Sequence, residues 1–385
     1  MLEKIERGFC ALAETTLKKL TLFFPLMLAA CLEAQPLPEI AERSVADFKV
    51  ETVSDRLAKP WAVAVLPEGD YIVTEIGGTA KRVSNGKLSE ISGLPDDILV
   101  YGQGGLLGVA LGPDFEKSGE IFFSYSYGEK SANGTALYRA NLKGNQLENG
   151  QTIYKATSKA AGSHYGGKID FLPDGTVLLS LGDGFANRED AQILDNSLGK
   201  IVRLNRDGTI PPDNPYQGAA APEIYSYGHR NVQGLFFDDV SGDLWAHEHG
   251  PRGGDELNLI KKGANYGWPI ATTGRDYNGA RITPHESRPD MEGYVYQWTP
   301  SIAPSGLTIY RGDLFPEWQG DALIGALANQ SLWRIDLNGA VAVTEERLLS
   351  DLGERIRDVT IDKDGAILIL TEVGSGGKLL RILPK

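Results

Sequence analysis

Cysteine is almost missing from this chain: of 385 residues only Cys10 and Cys31 carry a thiol. Both fall in the first segment, so a processed chain holds no disulfide and its stability must come from core burial. Long apolar runs are missing too. The longest candidate, residues 20–30, is too short to span a bilayer. Nor does any cluster of Lys and Arg rise out of a formal net charge of -13, which repels phosphate backbones and excludes nucleic acid as a partner. Helical periodicity is scarce beyond the first segment, and there are only five histidines. Glycine is plentiful at 46 residues, with 20 prolines, which favours short strands joined by many turns.

The first segment has the pattern of an export address. Lys18 and Lys19 precede the apolar stretch, which ends Leu28-Ala29-Ala30-Cys31. Small residues before a cysteine resemble the bacterial lipobox, where cleavage leaves an acylated cysteine at the new N-terminus. The expectation is a signal peptide over 1–31, a Pro-containing tether over 32–44 and one domain over 45–385. The protein is then exported to the periplasm and lipid-anchored to the outer membrane through Cys31, its only tie to a membrane.

Past the tether the chain repeats one phrase: an apolar-alternating run, a turn built on Pro, Asp or Gly, and a second apolar run. It occurs as WAVAVLPEGDYIVTE from Trp61, GLLGVALGPDFEKSGEIFFSYS from Gly105 and GKIDFLPDGTVLLSLGD from Gly167. It returns as GLFFDDVSGDLWAHEHG from Gly234, SGLTIYRGDLFPEWQGDALIGAL from Ser305 and RDVTIDKDGAILILTE from Arg357. Period-2 alternation across such turns predicts hairpins, and hairpins recurring every ~45 to 70 residues predict blades rather than a sandwich. Six phrases predict an all-β, six-bladed β-propeller. The segments 185–233 and 250–300, rich in Gly, Asn and Pro, are expected as long loops crowning its top face.

Four of the five histidines, His164, His229, His247 and His249, fall at the boundaries of these repeats. His164 precedes a predicted strand and is followed by Gly166 and Gly167, which allow close backbone approach by a flat ligand; it is a candidate general base. The pair His247 and His249, two apart, would project to one side of a strand, but with no third nearby ligand zinc is the weaker metal. Arg355 and Arg357, also two apart, are predicted to share one face.

The segments YSYGHRNVQGLFFD and HEHGPRGGDELNLIKKGANYGWP, with GQGGLLGVAL from Gly102 and RIRDV from Arg355, resemble the glucose/sorbosone dehydrogenase family, specifically its soluble aldose sugar dehydrogenases. The resemblance runs from about Leu57 to the C-terminus. It implies a six-bladed propeller holding pyrroloquinoline quinone (PQQ) with Ca²⁺ in a top-face cleft, and oxidation of aldoses at C1 to lactones. On matching positions, His164 is implied as the base that takes the C1 hydroxyl proton while hydride passes to the quinone, with Arg230 in the same catalytic group. Gln103, Arg230, Asn231, Arg355 and Arg357 are implied cofactor contacts, which suits a tricarboxylate that needs cationic forks and amide donors. The Gly250 and Pro251 carbonyls are implied ligands of the calcium beside the quinone, and Glu256 with the backbone oxygen of Tyr266 a second, structural calcium site; hard oxygen ligands suit that ion. One departure stands out: Ala328 occupies a position where the family commonly has a cofactor-binding lysine.

Two other functions fit a six-bladed shape, a calcium-dependent lactonase and a non-catalytic extracellular binding propeller. The first wants acidic metal ligands along the central channel, and Ala328 tilts towards the second. A small sugar and an unidentified electron acceptor are the expected partners, and the chain is expected to be a monomer.

Overall fold

The structure, a computed structural model, describes residues 39–41 and 47–385. The expected signal peptide, with Cys10 and Cys31, lies outside the described residues. Within the expected tether, Glu39–Ala41 pairs in parallel with Val341–Leu348.

Six sheets account for the remaining strands, as the six phrases predict. Each phrase forms the first two strands of a sheet. In blade 1 these are Pro60–Val65 and Tyr71–Glu75, followed by Thr79–Ser84 and Lys87–Glu90. The later blades begin at Leu106–Leu111, Ile169–Phe171, Val232–Asp238, Pro304–Ile309 and Arg355–Ile361. These first strands touch one another in cyclic order, the sixth meeting the first, and so line the axis of a closed ring. Closure is made by the other end of the chain. Phe48–Leu57 pairs antiparallel with Gly377–Pro384 and becomes the fourth, outermost strand of blade 6, so one sheet holds both the first long strand and the last.

The phrase turns of blades 1, 3 and 6 close alike. In Leu172–Thr176, Gly175 sits at φ 79° and donates its N–H to the Leu172 carbonyl. Gly365 at φ 87° does the same to Asp362, a left-handed conformation that glycine adopts without steric cost. Second strands such as Val177–Leu181 and Ala322–Ala326 are buried on both faces, because each blade is sandwiched between two others. Six apolar clusters result, one in each gap between neighbouring blades. The fold is therefore held by six medium cores instead of one large one.

The crowning segments are less loop-like than the sequence indicates. The segment 185–233 contains Lys200–Leu204 and Ile224–Tyr227, the outer strands of blade 3, and 250–300 contains Asp255–Leu259 and Tyr296–Trp298 of blade 4. These strands are short, and polar or charged residues interrupt their apolar pattern, which hides the period of two. Between them run the connections 182–199 and 260–295, which build the site.

Candidate functional site

The ring is open at one end of its axis as a cleft of about 410 Å³. Five of the six axial strands break register at the end that meets it, between Pro60 and Ala62, Leu106 and Val109, Val232 and Gly234, Pro304 and Leu307, and Ile356 and Asp358. A bulge re-aims the extra residue. The residues so displaced include Trp61, Leu107, Gln233 and Arg357, all of which line the cleft. Gln103, Asn231 and Arg355 join them, so four of the expected cofactor contacts, Gln103, Asn231, Arg355 and Arg357, converge from three blades.

The charge of this lining is uneven. Arg357 is paired through Nε and Nη2 with Glu372, at 3.1 and 2.6 Å. Arg355 has no carboxylate partner among the described residues, and its buried Nε makes no hydrogen bond. A buried donor left unpaired costs free energy unless something occupies the site. Lys59 adds an exposed ammonium on the cleft wall, a cation that sequence reading missed. Ala328 sits just outside, its N–H donated to Ile302 while the adjacent Leu327 faces the cleft. The lining thus offers one unpaired guanidinium, one ammonium, the amides of Gln103, Asn231 and Gln233, and two aromatic residues, Trp61 and Tyr165, which fits a planar, acid-bearing molecule.

His164, 5% exposed, is not itself part of the cleft lining but adjoins two residues that are, Gln103 and Tyr165. Its backbone is left-handed, φ 53°, and its N–H donates to Gln103 Oε1 at 2.9 Å. Nδ1 lies 2.6 Å from Asp183 Oδ1, and Trp268 Nε1 donates to the other oxygen of that carboxylate at 2.9 Å. Burial, opposed by the Asp183 hydrogen bond and reinforced by the charge of Arg230, holds the imidazole pKa below its ordinary value. The ring is therefore neutral, with the proton on Nδ1 facing Asp183 and the Nε2 lone pair free to accept a proton. Asp183 was not singled out from sequence; it sits in a Leu-Gly-Asp-Gly stretch that looks like an ordinary turn. Close packing also requires the glycines after His164. A Cβ on Gly166, at φ 65°, would meet the Ser180 carbonyl of its own blade at 2.4 Å, and one on Gly167 would meet Leu107 of blade 2 at 2.9 Å; Gly166 also lines the cleft.

Arg230 does not line the cleft. It is 4% exposed, donates from Nη1 to the carbonyls of His249 and Gly250 at 2.9 and 3.0 Å, and lies over the Trp268 ring. It borders two further spaces. One is a hollow of about 330 Å³ that Pro251 also lines. The other is a void of about 10 Å³, room for a single small body, walled by Gly250, Glu256 and Tyr266 together with Glu248. Burial and the charge of Glu248 push Glu256 up to about 8, and the buried Asn258 Oδ1 has no partner. The Tyr266 hydroxyl is committed, donating to Leu259 and accepting from Lys261, so only its backbone oxygen can serve the void. Two carboxylates and carbonyl oxygens around one ion-sized space fit a hard divalent cation. Glu248 is the second acid that sequence reading missed.

His249, lining the cleft, places Nε2 2.7 Å from the Pro304 carbonyl, and His247 is buried without hydrogen bonds. Among the described residues no group of three His, Cys, Asp or Glu is arranged to hold a metal. Below the cleft the axial channel holds Asp170 and an ion pair of Lys168 with Asp358, so the acids a lactonase reading wants share the channel with a cation.

A sequence model described as glucose/sorbosone dehydrogenase matches residues 57–381. Aldose sugar dehydrogenase YliI of Escherichia coli is 40% identical over 88% of this chain and 94% of its own length. The crystal structure of the soluble aldose sugar dehydrogenase from Escherichia coli in the apo-form superposes with a TM-score of 0.84 at 40% identity, covering 88% of this chain and 100% of that one. The PQQ-bound aldose sugar dehydrogenase of Streptomyces coelicolor gives a TM-score of 0.74 at 29% identity, over 88% and 99%. Ring and cleft place the protein in the class of propeller dehydrogenases. Within that class, the chain belongs to the glucose/sorbosone dehydrogenase family.

Proposed function

We propose that this protein oxidises aldose sugars at the C1 hydroxyl to lactones, with PQQ in the axial cleft and calcium as its ion. The observation that carries the reading is the pairing of a neutral, Asp183-locked His164 with a cleft whose Arg355 is a cation in want of an anion. When bound, the quinone supplies the hydride acceptor and a neighbouring calcium makes it more electrophilic.

The chain's own groups do the rest. His164 Nε2 takes the C1 hydroxyl proton, and the imidazolium formed is stabilised by Asp183, which also fixes the tautomer. Gln103 holds the His164 backbone in its left-handed conformation and keeps its remaining polar atoms for the cleft. Arg355, with Arg357 and Lys59, binds carboxylates, and Trp61 and Tyr165 flank a flat ring. Arg230, through its bonds to the His249 and Gly250 carbonyls, fixes the turn that carries Gly250 and Pro251. Glu248, Glu256 and the Tyr266 backbone oxygen hold a structural calcium. The relatives named as aldose sugar dehydrogenases support this substrate class.

Export with acylation at Cys31, a tether ahead of the ring, a monomer in solution and an electron acceptor still to be identified complete the proposal. Fatty-acid labelling lost in Cys31→Ala tests the anchor. Reconstitution with PQQ and Ca²⁺, followed by a sugar panel with an artificial electron acceptor, tests the activity; no absorbance change on adding the quinone rejects it.

A further inference from the structure

The segment 156–163, which leads into His164, buries a lysine that the chemistry at C1 leaves without a role. Lys159 is 5% exposed, and an ammonium taken out of water is costly unless other groups replace its hydration. Its partners among the described residues are neutral. Nζ donates to Asn133 Oδ1 at 3.0 Å and to the Ala161 carbonyl, and it lies 3.6 Å from the centroid of the Tyr165 ring.

The surroundings hold this lysine from several sides. Backbone bonds tie Lys159 and Asn133 in both directions, at 2.7 and 2.8 Å, and Asn133 Oδ1 also accepts the Tyr165 hydroxyl at 2.7 Å. The lysine stem crosses Gly184, where a Cβ would meet Lys159 Cδ at 2.3 Å. That glycine follows Asp183, the acid paired with His164, and Tyr165, which follows His164, lines the cleft. Ammonium, acid and base thus meet where two connections pack together. The charges acting on the buried His164 ring are those of Asp183, Arg230 and Lys159. Asp183 favours a proton on the ring, whereas burial and the two cations oppose it. On Lys159 itself burial is the larger effect and lowers its pKa to about 8, against the charge of Asp183. Tyr165, pushed up to about 12 by burial and by Tyr101, stays neutral. Lys159 is therefore charged throughout the acid and neutral range in which the ring titrates.

We infer that Lys159 is a positioning residue for the base: its ammonium, set over Tyr165 and against the glycine that follows Asp183, keeps His164 free of a proton at acid pH and fixes the segment that presents the ring. The inference rests on the reading of His164 as the base. It carries a trade-off. A charge that repels a proton from the resting ring also opposes the imidazolium formed during the reaction, so Lys159 exchanges some basicity for a base that stays ready at lower pH.

The test starts with the full chain free of quinone and carrying isotope-labelled histidine. The His164 ring nitrogens, assigned by their loss in His164→Gln, are followed by NMR over about pH 4 to 10 in the wild type, Lys159→Met and Lys159→Arg. Lys159→Met is expected to raise the His164 midpoint by about half a pH unit or more, the effect of one charge removed from a poorly screened site. Lys159→Arg, which keeps the charge, is expected to leave it in place. An unchanged midpoint in Lys159→Met overturns the inference. If neither variant folds, the wild type carries the test: loss of the Lys159 proton near pH 8 moves the His164 signals a second time, and flat signals there overturn it. With PQQ and Ca²⁺ restored, the acid limb of kcat/KM in Lys159→Met is expected to move up with the midpoint, whereas a merely structural lysine would lower kcat and leave the limb alone. If the wild type oxidises no sugar, the dehydrogenase reading fails, and the ring titration still decides whether Lys159 governs His164.

Discussion

Lys168 of blade 3 and Asp358 of blade 6, separated by 190 residues, form an ion pair across the axis of the ring. Asp358 also accepts the Val63 N–H of blade 1 at 3.0 Å, and the Lys168 ammonium lies over Trp61 at 5.0 Å. Three of the six blades are thus tied at one point beneath the cleft. Removing one partner strands the other charge in a place with little water, a costlier change than removing both.

Lys168→Met is therefore expected to lower the unfolding free energy by about 2 to 4 kcal/mol. The double variant Lys168→Met with Asp358→Asn recovers part of that loss. Chemical denaturation of both variants checks the sign of the coupling, and simple additivity would contradict the account.

Asp183→Asn tests the base. An asparagine keeps the shape of Asp183 but offers no charge to the imidazolium and permits the wrong tautomer, so kcat should fall by about 10²-fold or more. Because burial holds the His164 pKa down, the wild-type acid limb of kcat/KM lies below the pH of an ordinary histidine. Losing Asp183, which raises that pKa, moves the limb to still lower pH as the rate drops. A pH–rate profile separates this outcome from a fold defect, which would lower the rate without moving the limb.

Much of this was visible in the sequence, and what was not has a common cause. Blade number was legible because each axial hairpin carries its own signal, two apolar runs about a Pro-Asp-Gly or Ser-Gly-Asp turn, within ~20 residues. Arg355 and Arg357 both line the cleft, but the bulge at Arg357 breaks the period of two on which the expectation of a shared face rested. Asp183 and Glu248 were illegible because their meaning lies in partners far along the chain. Asp183 meets His164 19 residues away and Trp268 85 away, and Glu248 faces Glu256 only because adjacent strands put them opposite one another. The bulges that turn Trp61, Gln233 and Arg357 into the cleft are likewise properties of paired strands, invisible in one strand alone. Arg230 was singled out by its motif, and what the motif does not show is its backbone partners: outside the cleft lining, its Nη1 donates to the His249 and Gly250 carbonyls.

Cofactor affinity should depend on Arg355 more than on Arg357, since Glu372 already neutralises the latter. Arg355→Met is expected to weaken PQQ binding by about 1 to 3 kcal/mol, roughly ten- to a hundredfold. Ala328→Lys, which restores the lysine implied by resemblance, is expected to tighten it. Absorbance titration with the quinone measures both, and equal losses in Arg355→Met and Arg357→Met would show that the unpaired state of Arg355 is irrelevant.

Asp170 gives the ring a pH dependence of its own. It lines the axial channel and accepts N–H bonds from Phe171 and Phe237, at 2.8 and 2.5 Å, yet burial dominates and raises its pKa from 3.8 to about 7. Below about pH 4 the carboxyl is protonated whether the chain is folded or not. Between there and about pH 7 the unfolded chain gives up the proton while the folded one keeps it, so this contribution to stability declines as pH rises and is lost above the folded value. Asp170→Asn removes the titration, and its denaturation midpoints are expected to change less over that range than those of the wild type.

The void between Glu248 and Glu256 makes the last prediction, which turns on two opposing signs. Without a cation, burial and the charge of Glu248 keep Glu256 protonated up to about pH 8, a proton bound at a cost at neutral pH, so Glu256→Gln removes that cost and is expected to stabilise the metal-free protein. With calcium, the same substitution deletes a ligand. Wild-type protein stripped with a chelator and titrated with Ca²⁺ is expected to gain about 2.7 kcal/mol at a hundred times the dissociation constant, read as a rise in Tm. Glu256→Gln starts from a higher Tm and shows little or no rise. A variant that is less stable than the wild type before calcium is added, or that responds to calcium as the wild type does, would mean that the two acids face each other for a reason other than an ion.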